Sequence, residues 1–345
     1  MDLNDDLLEW SWGRRHEGYR PPSAARVVGG HAPLYRVWGG GGVTDARLPG
    51  RFRTASSTAV PVVGDWVELS DDGQSVVGTL PRTTLVSRES TSAEHLEQAL
   101  VANTDVVAVV LLPSHRGTGL LLNFLSVVWS GEATPLVCWG KRDAFDEDEL
   151  AEAEREAQEY VGPDAVLTVS AHSGAGVADL VERVGPGGTL AFLGPSGVGK
   201  SSLINAIAGS PVRRTGGVDR TGQGRHVSSD RALLVGREGV LLVDTPGLRT
   251  VLASDLSGID KGFPDIVELS RDCRFRDCRH RSEPGCAVAA AVEAGELPAR
   301  RIEEYRKLER DAQRIELRRD ARARSEAHSE LVVRARKAKR RFRRP

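Results

Sequence analysis

The run Thr189-Leu190-Ala191-Phe192-Leu193 leads into Gly194-Pro195-Ser196-Gly197-Val198-Gly199-Lys200-Ser201, which continues as Ser202-Leu203-Ile204-Asn205-Ala206-Ile207-Ala208. An apolar strand pattern enters a loop that satisfies GxxxxGK[ST], and a helical pattern leaves it. The glycines allow backbone N–H groups to close around a phosphate, and the helix N-terminus behind them adds favourable potential. Residues Gly194 to Ser202 are therefore expected to cradle a nucleotide's phosphates. Lys200 is placed to bridge the β- and γ-phosphates, and the Ser201 hydroxyl to ligate Mg²⁺.

The chain upstream alternates in the same way. Buried-type strands at 105–112, 135–139 and 165–170 are interleaved with helical patterns near 118–130, 146–160 and 176–184. Such alternation predicts a mostly parallel α/β sheet covered on both faces. A Thr91-Ser92-Ala93-Glu94 capping box predicts a further helix ending near Asn103. Downstream, the hairpin RALLVGREGVLLVD runs into Asp244-Thr245-Pro246-Gly247. Asp244 supplies the acidic group that holds Mg²⁺ through a water, and the Gly247 N–H is a contact for the γ-phosphate. Together with the phosphate loop, this turn points to a GTPase.

A carboxylate that reads guanine through N1 and N2 is missing after Gly247 but present before the loop. Gly140-Lys141-Arg142-Asp143 follows the strand PLVCW, and Ser170-Ala171 ends the next one. Asp143 would accept two hydrogen bonds from guanine, the Lys141 stem would cover the base, and Ser170-Ala171 would offer backbone contact to its oxygen. In a parallel sheet these strand ends meet the phosphate loop at one edge, whatever their order in the chain.

Between Arg26 and Arg88 lie short β-type runs with glycine and Asp71-Asp72-Gly73 turns: ARVVGG, LYRVWG, GRFRT, PVVGDWVELS, QSVVGTL and TTLVSR. Their spacing predicts a small barrel of the oligonucleotide/oligosaccharide-binding (OB) type. Tyr35, Trp38, Phe52, Arg47, Arg51 and Arg53 are candidates to stack on or neutralise RNA, against the plainer reading of aromatic core and wet arginine face. Residues 1–24 show little periodicity and read as a leader arm.

Four cysteines are present, and three fall close together. Cys273, Cys278, His280 and Cys286 make a complete tetrahedral set for one structural Zn²⁺, with no position left for water. Cys138, in PLVCW, reads as a buried small hydrophobe. The 345 residues are 40% hydrophobic and 28% charged, enough for a sizeable core. No apolar run exceeds the seven residues of Val106 to Leu112, too short for a membrane span, and the acidic start MDLNDDLLEW is unlike a signal peptide. A cytoplasmic protein with no membrane partner is expected. The net charge of −1 is unevenly spread: residues 300–345 carry 18 Arg and Lys against 8 Asp and Glu, a net +10, which leaves −11 on residues 1–299. A basic end of this kind suits a polyanion such as RNA.

With PVVGDWV, ANTDVVAVV, GPSGVGKSSLIN, the GRH segment at 224–226, DTPGL and the cysteine cluster in place, the sequence resembles the circularly permuted GTPase family RsgA, also called YjeQ. The resemblance spans about residues 26 to 310. It implies an OB barrel, a permuted GTPase domain and a C-terminal zinc domain, with slow GTP hydrolysis that the small ribosomal subunit stimulates. It also implies a role in late maturation of the 30S subunit, contact with 16S rRNA, and GTP/GDP, Mg²⁺ and Zn²⁺ as ligands. His226 becomes a candidate for placing the attacking water, and Ser228 or Ser229 for ligating Mg²⁺. Two positions depart from the family pattern. Gly140 stands where Asn or Thr is usual, and Val227-Ser228-Ser229 replaces the usual threonines. Leu248, following DTPG, cannot orient water, so intrinsic hydrolysis is expected to be slow.

The resulting expectation is a monomer with a leader arm (1–24), an OB barrel (25–90), a circularly permuted GTPase domain (91–250), a helical zinc-binding domain (251–324) and a basic tail (325–345). Its rivals are a nucleotide-binding rRNA assembly factor with little or no catalysis and a phosphate-loop ATPase or kinase acting on a small molecule.

Overall fold

A computed structural model describes residues 3–50, 52, 60–89, 97–117, 119–211, 232–245, 258–314 and 316–317. Within it the N-terminal stretch is a helix and not a loose arm. In α1 (Asp5–Gly13), Leu7, Leu8, Ser11 and Trp12 recur at helical spacing and are buried. The Asn4 side chain caps the helix by accepting from the Leu7 N–H at 2.9 Å. Four buried positions in so short and acidic a segment make a weak periodic signal, which is why it reads as unstructured.

Five strands follow: β1 (Ala24–His31), β2 (Leu34–Gly39), β3 (Gly42–Arg47), β4 (Trp66–Leu69) and β5 (Val76–Thr79). They form an antiparallel sheet in the order β3-β2-β1-β4-β5. A parallel bridge between Arg47 and Ser75 joins its two edges, closing the OB-type barrel. Ala25, Val27, Tyr35, Val37, Ala46, Val67 and Val76 fill its core. Tyr35, in this core, and Trp38 are both buried and do not present a stacking surface. The third strand is Gly42–Arg47, while most of the GRFRT run lies outside the described residues. Only Ala46 of this edge strand is buried, so its sequence lacks a visible apolar pattern. Phe52 lies in a short helical turn; Arg51 and Arg53 are outside the described residues.

The capping-box helix is also replaced. β6 (Leu85–Glu89) pairs antiparallel with β7 (Glu97–Ala102), and residues 91–96 are outside the described residues. Ala99, Leu100, Val101 and Ala102 are all buried in succession, which a helix with one wet face cannot offer.

The sheet core then runs β8 (Val106–Leu111), α2 (Leu120–Ser130), β9 (Thr134–Gly140), α3 (Glu147–Val161), β10 (Val166–Val169), α4 (Val177–Val184), β11 (Thr189–Leu193), α5 (Lys200–Ala208), β12 (Leu233–Val235) and β13 (Leu241–Asp244). Its order is β10-β9-β8-β11-β13-β12, parallel except for the β12–β13 pair. The chain lays β8, β9 and β10 outward in one direction and then returns to place β11 on the other side of β8. That reversal is a topological switch point, where ligands of open α/β sheets bind beyond the carboxyl ends of the strands. The two central strands, β8 and β11, are apolar but for Thr189 and buried but for a partly exposed Val106, as parallel strands between helical layers must nearly be.

Barrel and sheet core belong to one compact unit that takes in the described residues up to Asp265, while those from Ile266 onward form a second. The second unit holds most of α6 (Pro264–Ser270), α7 (Ala287–Glu293) and a helix over 299–314. Among the described residues no helix is long and apolar enough to cross a membrane.

Candidate nucleotide site and metal cluster

β11 ends at Leu193, and the phosphate loop turns at once onto α5. Gly194, Gly197 and Gly199 have φ of 148°, 85° and 105°, values that favour glycine. Gly194 also needs its missing side chain, since a Cβ there would lie 2.2 Å from the Val110 carbonyl oxygen. Pro195, Ser196 and Gly197 form the crest of the loop, with Ser196 and Gly197 exposed. Gly199 precedes α5 without any side-chain cap, so the first N–H groups of the helix are not taken up by a capping residue.

Lys200 is buried, and its Nζ donates to the carbonyls of Gly194 and Pro195, both at 2.8 Å. Burial pushes its pKa down to about 8, against a smaller opposing pull from Asp244. Asp244 closes β13 in register with Phe192 of β11, which places it beside the loop. Thr245 is buried and its hydroxyl donates to the Phe192 carbonyl, pinning the turn to β11. Ser201 and Ser202 are partly buried at the start of α5.

Beyond β8, β9 and β10 end on the same side of the sheet. Lys141 takes the left-handed conformation (φ 57°), which turns the chain so that Asp143 faces the end of β10. The Ser170 hydroxyl donates to the Asp143 carboxylate and accepts from the N–H groups of His172 (3.2 Å) and Ser173 (3.1 Å). This bond, with smaller help from His172 and Lys141, holds the Asp143 carboxyl below the usual carboxylate range. Asp143 is thus ionised and aimed, as an acceptor for two N–H groups of a base must be. Arg142 turns elsewhere, donating to the Thr168 hydroxyl at 3.3 Å.

A cavity of about 250 Å³ opens between these two regions. Gly140, Lys141, Asp143, Ala144 and Ser170 to His172 form one wall; Val198, Gly199, Ser202 and Leu203 form the other. The separate sequence segments around Asp143, Ser170 and the phosphate loop therefore meet at one site. His226, Ser228, Ser229 and Gly247 lie outside the described residues.

In the second unit, ligand atoms of Cys273, Cys278, His280 and Cys286 all lie within 4.8 Å of one another. His280 Nδ1 is 3.6 Å from Cys273 Sγ and 3.5 Å from Cys286 Sγ. Burial and then the neighbouring Cys286 and Cys273 sulfurs push the Cys278 thiol up to about 11. Three thiols and an imidazole at this spacing fit a tetrahedral Zn²⁺. Cys286 also caps α7, its Sγ accepting from the Ala289 N–H at 3.3 Å, so the cluster and the helix share a residue. Cys138, by contrast, is fully buried in β9 and its thiol is pushed up to about 12, an inert core position.

The RsgA GTPase family model matches residues 79–253, which takes in both walls of the cavity. A small ribosomal subunit biogenesis GTPase RsgA of Streptomyces coelicolor is 42% identical over 277 residues, covering 79% of this chain and 75% of its own. This chain belongs to the RsgA GTPase family. An RsgA of Methanosarcina acetivorans is 32% identical over 292 residues, covering 83% of this chain and 78% of its own. Among solved structures, YjeQ from Thermotoga maritima matches with a TM-score of 0.60 at 29% identity, over 83% of this chain and 96% of that one. YloQ, described as a circularly permuted GTPase, matches with a TM-score of 0.60 at 25% identity, over 88% and 98%.

Two segments that carry the resemblance to RsgA also build a seam away from the nucleotide edge. PVVGDWV and the first residues of ANTDVVAVV meet where the barrel joins the sheet core, while Val110 at the far end of the second segment lies against the phosphate loop. Gly64 (φ 94°) approaches Ala102 so closely that a Cβ would sit 2.0 Å from its carbonyl oxygen. Asn103 donates from its amide to Gly64 O at 3.1 Å and accepts from the Thr83 N–H at 3.0 Å. At the centre is Arg26, fully buried, whose guanidinium donates to Gly64 O (3.4 Å), the Ser11 hydroxyl, Asn103 O (3.0 Å) and the Thr189 hydroxyl (2.8 Å). Sequence reading passed over Arg26, because an arginine among β-type residues looks like a wet face until its partners are known. Glu283 was missed likewise. Its carboxylate accepts from the N–H groups of Arg279, Arg281 and Ser282, and these bonds pull its pKa down to about 2, bracing the loop that carries the metal ligands.

Proposed function

We propose that this RsgA GTPase binds guanine nucleotide at the 250 Å³ cavity, hydrolyses GTP, and acts on the small ribosomal subunit. The observation that carries the reading is the convergence of Asp143, braced by Ser170, with the phosphate loop across one cavity of a size for a purine base. Asp143 accepts from guanine N1 and N2, the Lys141 stem covers the base, and the backbone of Ser170 and Ala171 meets the base oxygen. Gly194 to Ser202 wrap the phosphates, with the N-terminus of α5 and Lys200 supplying positive potential. Ser201 and Asp244 hold Mg²⁺, which neutralises charge on the β- and γ-phosphates when bound. Ser228 or Ser229 completes that set, Gly247 meets the γ-phosphate and His226 places the water. Zn²⁺ is held by Cys273, Cys278, His280 and Cys286 as a structural ion.

The relatives are named for small ribosomal subunit biogenesis, and this is the source of the proposed partner. Within that subunit, 16S rRNA is the polyanion suited to the net +10 of residues 300–345. The protein works as a monomer in the cytoplasm, assists late 30S maturation and is released on hydrolysis. Asp143 argues against an ATPase, because adenine offers no pair of donors to a carboxylate at that edge.

Turnover of GTP with and without purified 30S subunits, alongside competition of GTP and ATP for binding, tests this. GTP-selective binding with slow turnover that rises on adding 30S is the expected result. Equal competition by ATP removes the guanine reading. Binding without stimulation removes the ribosomal one.

A further inference from the structure

Gly140 ends β9 and is buried, yet its backbone does not lie in the left-handed region, so no turn explains a glycine there. Space does. A Cβ on Gly140 would lie 3.1 Å from the Val198 carbonyl oxygen, 3.4 Å from Val110 Cγ1 and 3.5 Å from the Leu111 carbonyl oxygen. The nearest of these atoms is backbone of the phosphate loop, and it can give way only if the loop itself moves. Val198 is poorly free to do so, since its side chain is buried in the sheet core with Val110, Leu203 and Ile204. On its other flank the loop is seated by Gly194, where a Cβ would lie 2.2 Å from Val110 O and 3.4 Å from Val198 Cγ2. Two glycines at the ends of β9 and β11, the strands on either side of β8, thus clear room for one loop. Gly194 belongs to the GxxxxGK pattern; Gly140 does not.

We infer that Gly140 is a positioning residue of the phosphate loop: its missing side chain lets Val198 close directly onto the end of β9 and so sets the separation between Asp143 and Lys200. This rests on the guanine-nucleotide reading above. The Gly140 backbone continues straight into Lys141 and Asp143, and Val198 straight into Gly199 and Lys200, so the contact joins the base-reading turn to the phosphate-holding one. The family pattern of Asn or Thr at this position suggests a vacancy that a larger residue would fill. The geometry points the other way: the loop has already taken up the space, and a side chain at 140 wedges the two turns apart.

The test uses Gly140→Ala and Gly140→Asn in the full chain, with GDP, guanosine and apo thermal melting as readouts. Both variants are expected to melt within a few degrees of the parent. Each should bind GDP about tenfold more weakly or worse, with a smaller loss for guanosine, because only GDP spans both turns. A residue of merely structural importance would lower the melting temperature and weaken both ligands alike. Unchanged or tighter GDP binding by Gly140→Asn overturns the inference, as does an equal loss for GDP and guanosine. Should Gly140→Asn fail to fold, the ratio of GDP to guanosine affinity in Gly140→Ala decides. If the parent protein binds no GDP, the nucleotide reading fails; if the parent binds and both variants match it, only the role of Gly140 falls.

Discussion

The two ends of β11 are five residues apart and built on opposite terms. At Thr189 every polar group is spent inside the protein. Its N–H donates to the Asp105 carboxylate at 2.7 Å, its carbonyl accepts from the Asp105 N–H at 2.9 Å, and its hydroxyl accepts from Arg26. Asp105 in turn holds Arg14 and Arg15 of the N-terminal segment at 3.2 and 2.7 Å. At Gly194 the chain leaves the strand through left-handed glycines, Lys200 falls back on the carbonyls of its own loop, and the start of α5 has no side-chain cap. One end is completed by folding and the other is left to be completed by a ligand. A short, fully buried strand separates the two.

The largest effect is expected where the protein has spent most. Arg26→Met removes a guanidinium shared by α1, the barrel and the sheet core, and leaves the Thr189 hydroxyl, the Gly64 and Asn103 carbonyls and the Ser11 hydroxyl without it. Asp65 and Asp105 also lose a buried positive neighbour. Removing one member of such a buried charge network costs about 3–5 kcal/mol. Denaturant unfolding would register this as a lower midpoint. A loss below about 1 kcal/mol would mean that the seam is held by its apolar contacts alone.

The ligand end makes a proton-linked prediction. Lys200 has a folded-state value of about 8, below the ordinary value near 10.4. A base with a lowered value penalises the charged form in the folded state. That penalty is complete below about pH 8 and fades as pH rises toward about 10.4, so apo stability from this group increases with pH across that window. Phosphates favour the ammonium, so nucleotide binding should take up a proton above about pH 8, and affinity should fall by up to about tenfold per pH unit there. Titration calorimetry in buffers of different ionisation enthalpy reads the uptake. Lys200→Arg, which stays charged, is the reference, since ionisation of the guanine itself is common to both proteins. A parent whose pH dependence matches that of Lys200→Arg would show that the loop lysine is not desolvated before nucleotide arrives.

What was legible in the sequence follows the same division. The phosphate loop, the Asp143 and Ser170 turns and the cysteine cluster are each local: a few adjacent residues carry both the chemistry and the turn that presents it. Their meeting could be inferred because a parallel sheet gathers strand ends at one edge, whatever their order along the chain. The seam is not local. Arg26 finds its partners 15, 77 and 163 residues away, and no window of sequence contains them together. β7 was mistaken for a helix for a related reason: a capping-box pattern is local, whereas the burial of Leu100 and Val101 on both faces comes from elements distant in the chain. Gly140 falls between these cases. It is visible as a departure from a family pattern, but only the Val198 carbonyl 3.1 Å from its absent Cβ gives that departure a sense.

The smallest effect is also the sharpest test of whether the ends of β11 are independent. Thr189→Val keeps the shape of the side chain and removes only the hydroxyl. Arg26 loses one acceptor but keeps the Asn103 carbonyl at the same nitrogen. The cost should be about 1 kcal/mol, the value of one buried hydrogen bond whose donor retains a partner. Because the backbone bonds between Thr189 and Asp105 are untouched, β11 should not shift, and GDP affinity should stay within about twofold of the parent. Combining Thr189→Val with Lys200→Ala should then give additive changes in stability, as separate sites without shared partners do. Coupling above about 0.5 kcal/mol, or a tenfold loss of GDP affinity in Thr189→Val alone, would mean that the strand transmits strain from the barrel seam to the phosphate loop and that the two ends form a single site.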